Sequence, residues 1–173
     1  MQDVNKIWSS VGSAGTVNPA DASKVFLSGS VVQLGQGVVT KPAEKGEGIG
    51  FPLTQAVVRY DVTAVDGVAD PNRINYALKV FGRKGSGQIQ ARLVQVAIPP
   101  ANTASPVNES TLIQFQRKNT FPQFSVEQAL GPDTELNFVN NSYYVELTLS
   151  GHAIGPVLEP PAVAAIQLEL TVP

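Results

Sequence analysis

Chemistry needs titratable, nucleophilic or metal-ligating side chains at workable spacing, and this chain holds few. Its one histidine, His152, stands in Ser150-Gly151-His152-Ala153, just past an apolar alternation and in an expected loop. Serine-hydrolase chemistry needs a base beside an activated serine, and no serine here sits in a G-x-S-x-G elbow. His152 therefore reads as a surface residue. The chain has no cysteine, so thiolate nucleophiles, disulfides and Cys-ligated zinc are excluded. Calcium needs only oxygens. The best cluster for it is Asp66, Asp70 and Asn72 in Asp66-Gly67-Val68-Ala69-Asp70-Pro71-Asn72. The spacing fits no EF-hand loop, and the same residue types build a strand connection unaided. No other cofactor is expected.

Two carboxylates facing one cleft are the minimum for glycoside hydrolysis. Glu146 and Glu169 fall on the polar sides of two well-formed alternations and are the candidate pair, with exposed strand glutamates as the plainer reading. Carbohydrate recognition needs exposed aromatic faces. Trp8, Phe81 and Tyr144 are the aromatics that strand parity does not bury. Three G-x-G triplets, beginning at Gly35, Gly46 and Gly85, lack the third glycine of the dinucleotide fingerprint and open no helix, so they read as turns. Arg83-Lys84 and Arg117-Lys118 are isolated basic pairs without interleaved aromatics, which argues against nucleic acid.

The elements that must position these residues are strands. Val58, Tyr60, Val62 and Ala64 alternate with Arg59, Asp61 and Thr63, the period of a half-buried strand. Ile74 to Val80 and Ile89 to Leu93 alternate likewise around the turn cluster Gly82–Gly87, and together they read as a β-hairpin. The parity flips near Leu93-Val94, which predicts a bulge or burial on both faces. Tyr143 to Leu149 and Ala164 to Leu170 alternate clearly, while Val25–Leu34 and Leu112–Gln116 are weaker strands. Ser125-Val126-Glu127-Gln128 fits either a strand or the cap of one helical turn. Asn18-Pro19 can open a short helical turn, and Asn140-Asn141 marks a tight turn. No twelve-residue segment carries a helical stripe. The expected fold is all-β: one antiparallel, jelly-roll-like β-sandwich of about eight strands spanning residues 1–173.

Composition supports that reading. Only 15% of the 173 residues are charged and the net charge is −2, against roughly 25% charged in an ordinary soluble domain. Such a chain offers no field for a phosphate backbone. No apolar run approaches the roughly 20 residues that span a bilayer. Met1–Lys6 shows no basic region followed by an apolar stretch, so no signal peptide is expected in the sequence as it stands. The neutral polar surface fits an extracellular or cell-surface protein whose leader has been removed, or else a cytoplasmically made particle component.

The segments Ile7 to Val17, Arg59-Tyr60-Asp61-Val62, Val65-Asp66-Gly67, Ala91-Arg92-Leu93 and Asn137 to Glu146 occur in an order that resembles uncharacterised bacterial single-domain β-sandwich proteins, often exported. That resemblance implies a sandwich and export, and implies no activity. The leading functional expectation is a non-enzymatic structural protein that forms homo-oligomers, because subunit contacts deplete charge. The C-terminal run Pro160 to Ile166 is a candidate for pairing across subunits. The alternatives are a carbohydrate- or other ligand-binding module and a carboxylate hydrolase.

Overall fold

Alternating apolar and polar side chains bury one face of a strand and leave the other to water. Twenty-one buried residues from such strands form one core cluster. The structure, a computed structural model, describes residues 5–35, 53–63, 75–85, 87–99, 107–117, 123–131, 136–152 and 160–171. Among them are eleven strands: β1 (Asn5–Val11), β2 (Thr16–Val17), β3 (Val25–Ser28), β4 (Val31–Leu34), β5 (Leu53–Val62), β6 (Asn75–Arg83), β7 (Gln88–Ala97), β8 (Glu109–Gln116), β9 (Ser125–Leu130), β10 (Asn141–His152) and β11 (Ala162–Thr171). The helical segments among these residues are short 3-10 turns, and no helix is long and apolar enough to cross a membrane.

The strands form two antiparallel sheets that share the core, an all-β sandwich. One sheet runs β3-β4-β11-β6-β9, with β1 also paired to β11; the other runs β2-β5-β10-β7-β8. Ile166 and Leu168 of β11 and Leu78 and Val80 of β6 belong to the same cluster as Val145, Leu147 and Leu149 of β10. Each such side chain contributes about 1.5–3 kcal/mol when fully buried.

Gly29 turns the β3–β4 hairpin within Val25–Leu34 at φ 57°, a conformation that glycine adopts without strain. Three local expectations meet the structure directly. Asn18 caps the 3-10 helix Pro19–Lys24 by accepting from the Ala20 N–H. The β7–β8 register shifts at Leu93/Val94, and both residues are fully buried. Ser125-Val126-Glu127-Gln128 is strand, not a helical turn.

Three expectations are corrected. β6 and β7 are not a hairpin: β6 pairs with β11 and β9, while β7 pairs with β10 and β8. The connection instead crosses between the sheets. A Cβ on Gly87 would meet the Ser150 carbonyl oxygen at 2.2 Å, so the corner presses against β10. Alternation is identical in a hairpin and in such a corner, which is why periodicity does not separate them. Within the run Pro160 to Ile166, Ala162, Val163 and Ile166 are buried in β11 between its own neighbours and are not free for another subunit, while Ala165 lies on the outer face. His152 is the last residue of β10, paired with Leu53, rather than a loop residue.

Candidate functional site

The outer face of the β10 sheet carries the densest polar cluster. Register sets Arg59 of β5 and Arg92 of β7 on either side of Glu146 of β10. Both guanidinium Nε–H groups donate to the Glu146 carboxylate at 2.8 Å, one to each oxygen. Burial by itself would raise the Glu146 pKa; the hydrogen bonds and charges of Arg92 and Arg59 outweigh it and hold the carboxyl below the ordinary glutamate range. Both arginines are shifted upward, first by the bond to Glu146. An acid held ionised in this way is poorly suited to donate a proton.

Arg59 also lies 4.9 Å from the centre of the Tyr144 ring, two residues before Glu146 on β10, and the Tyr144 hydroxyl donates to Glu109 at 3.1 Å. Burial, then the bond to Glu109, raises the Tyr144 pKa. Beside the triad lies a shallow depression of about 220 Å³, lined by Gln90, Ala91, Arg92, Gln114, Glu146 and Thr148. Amide, hydroxyl and guanidinium groups at its rim suit a neutral, hydroxyl-rich ligand better than an ion, because the local charges largely cancel.

The outer face of the β11 sheet is different. Register aligns Val11, Ala165, Phe81 and Val126 in one row across β1, β11, β6 and β9. Val11 is 47% exposed, Phe81 39% and Val126 59%. Strands are spaced by about 4.8 Å, so the row runs about 14 Å across the sheet. Phe124 extends it, 5.7 Å from Phe81 by ring centres and covered by Arg83 at 5.3 Å. Four residues along β9, Leu130 is 69% exposed beside Ala77. Between these rows Lys79 donates to Glu169 at 2.5 Å, so these two charges offset each other.

The sequence-derived candidates disperse across this framework. Glu146 and Glu169 project from different sheets, on opposite outer faces, and do not form a carboxylate pair. Trp8 belongs to the core cluster, Tyr144 is covered by Arg59 and Glu109, and only Phe81 keeps an exposed ring; the three share no platform. Asp66, Asp70 and Asn72 lie outside the described residues. Among the described residues no group of three or more His, Cys, Asp and Glu gathers to hold a metal.

Arg117 is not a surface basic residue. It is almost fully buried and ties the sheets together. Its guanidinium donates to the Val80 carbonyl at 3.3 Å and to the Ser125 hydroxyl, and its Nε lies 3.9 Å from Glu127. Only its position at the end of an apolar strand hinted at this. No family model matches the chain, and no curated protein matches it.

Proposed function

We propose that this protein is a non-enzymatic assembly protein, a subunit of a particle, filament or surface layer built from copies of itself. The observation that carries the reading is the apolar row Val11, Ala165, Phe81 and Val126, which crosses four strands of one sheet face with Val11, Phe81 and Val126 exposed. Exposed patches of this kind mark association surfaces. The sandwich itself is proposed to be a jelly roll. The order β4-β11-β6-β9 facing β5-β10-β7-β8 supports this, with β1, β2 and β3 as additions to an eight-strand unit. Jelly rolls serve in viral capsids and in lectins, and that analogy of fold is consistent with a particle component. The resemblance to exported bacterial sandwich proteins supports a place outside the cell, so assembly on the cell surface stands beside the particle reading.

Light scattering with electron microscopy on concentrated protein tests the proposal. Assemblies of regular size or repeat are the expected result, and a monodisperse monomer would overturn it. A second reading, carbohydrate binding, draws support from the amide- and hydroxyl-lined depression beside Glu146. A glycan array probed with the parent chain and Gln90→Ala checks it. Binding that the substitution removes would favour this reading, and an array without signal would end it.

A further inference from the structure

Strand β9 ends its sheet, pairing with β6 on one side and with none of the described strands on the other. In an antiparallel ladder, pairs that exchange both backbone hydrogen bonds alternate with pairs that exchange none. The Gly131 N–H donates to the Tyr76 carbonyl at 2.6 Å, one step beyond the Leu130–Ala77 pair. Tyr76–Gly131 is therefore a bonded pair, and Val126, Gln128 and Leu130 belong to the alternate set. Their N–H and C=O groups point away from β6, to the side where no described strand pairs. An open edge of this kind is a template for another strand.

We infer that β9 pairs antiparallel with β9 of a second copy, with Gln128 on the two-fold axis. This rests on the assembly reading and names one of its contacts. In that register Gln128 faces Gln128, Val126 faces Leu130 and Glu127 faces Ala129, so every outward backbone group finds a partner. The two exposed apolar side chains of the strand cover each other, and the apolar row of one copy continues into Leu130 and Ala77 of the next. Centring on Glu127 instead would set two glutamates directly opposite, which is destabilising. Centring on Ala129 would carry Val126 past the end of the opposing strand. A register centred between two residues would mix outer-face and core-face side chains. Self-pairing selects one alignment from the sequence Ser125-Val126-Glu127-Gln128-Ala129-Leu130.

The absence of cysteine makes the test clean. Bonded antiparallel pairs hold their Cα atoms about 5.5 Å apart, inside the range of about 4.4–6.8 Å that a disulfide spans. Under mild oxidation Gln128→Cys should become a covalent dimer, and Gln114→Cys, on the other sheet, should not. By sedimentation, Val126→Lys and Leu130→Glu should each weaken self-association by about tenfold, the scale of exchanging an apolar contact for a buried charge. The double variant V126K/L130E should recover association, because the new charges then face each other. Circular dichroism on each variant confirms folding. A chain that stays monomeric at every concentration overturns this contact and the assembly reading together. A chain that associates, yet neither cross-links through position 128 nor responds to V126K, overturns the contact alone.

Discussion

Glu146 and Arg117 show what single residues contribute. Glu146 has a lower pKa folded than unfolded, so its stabilisation is full above the ordinary carboxyl range. It is lost as the pH falls below about 4.5 through the folded value. Glu146→Gln should therefore cost about 1–3 kcal/mol at neutral pH, the scale of hydrogen bonds to charged groups. The variant should also lose less further stability on acidification than the parent; urea unfolding at neutral pH and at about pH 3.5 checks both. Arg117→Ala should cost about 2–4 kcal/mol, from the cavity it leaves and the Val80 carbonyl it abandons. A change within a few tenths of a kcal/mol would contradict the tie between sheets. Parity in the sequence put Glu146 and Tyr144 on an outer face, and that was right. It did not show that Arg59 would cover Tyr144 or that two arginines would enclose Glu146. Those contacts come from strands more than fifty positions apart, and no local pattern encodes them.

At the scale of elements, the strand cores were legible because their alternation is long and regular, as in Tyr143 to Leu149. Pairing was not, because β6 and β7 bury the same kind of face whether they meet in a hairpin or part into opposite sheets. What fixes their separation is contact at a distance, including the close approach of Gly87 to β10. Besides their ladders, the first strands are anchored by single bonds from residues far along the chain. The Tyr60 hydroxyl donates to the Gly12 carbonyl at 2.6 Å, joining β5 to the turn after β1. Asp21 accepts from the Val57 N–H, so the 3-10 helix Pro19–Lys24 covers the β5 edge that β2 leaves open. Tyr60→Phe should lower stability by about 1–2 kcal/mol, a fall in Tm of roughly 2–8 °C for a chain of this size. An unchanged Tm would show that this bond adds nothing to the ladder that already holds β1. Gly12→Ala should be more damaging, because its Cβ would lie 1.9 Å from the Val163 carbonyl oxygen. Poor yield of folded protein is the expected outcome.

For the whole molecule, scarce charge takes on a location. Glu146 and Glu169 are paired with cations of their own sheets, and the β11 sheet carries an apolar row and ends in β9, which pairs with no second described strand. Such a surface costs solubility in a lone monomer and gains stability in an assembly. Sedimentation velocity over a wide concentration range reads this most directly. The 18.3 kDa chain should move into dimers and larger species as concentration rises. A single 18.3 kDa species across the whole range would contradict it.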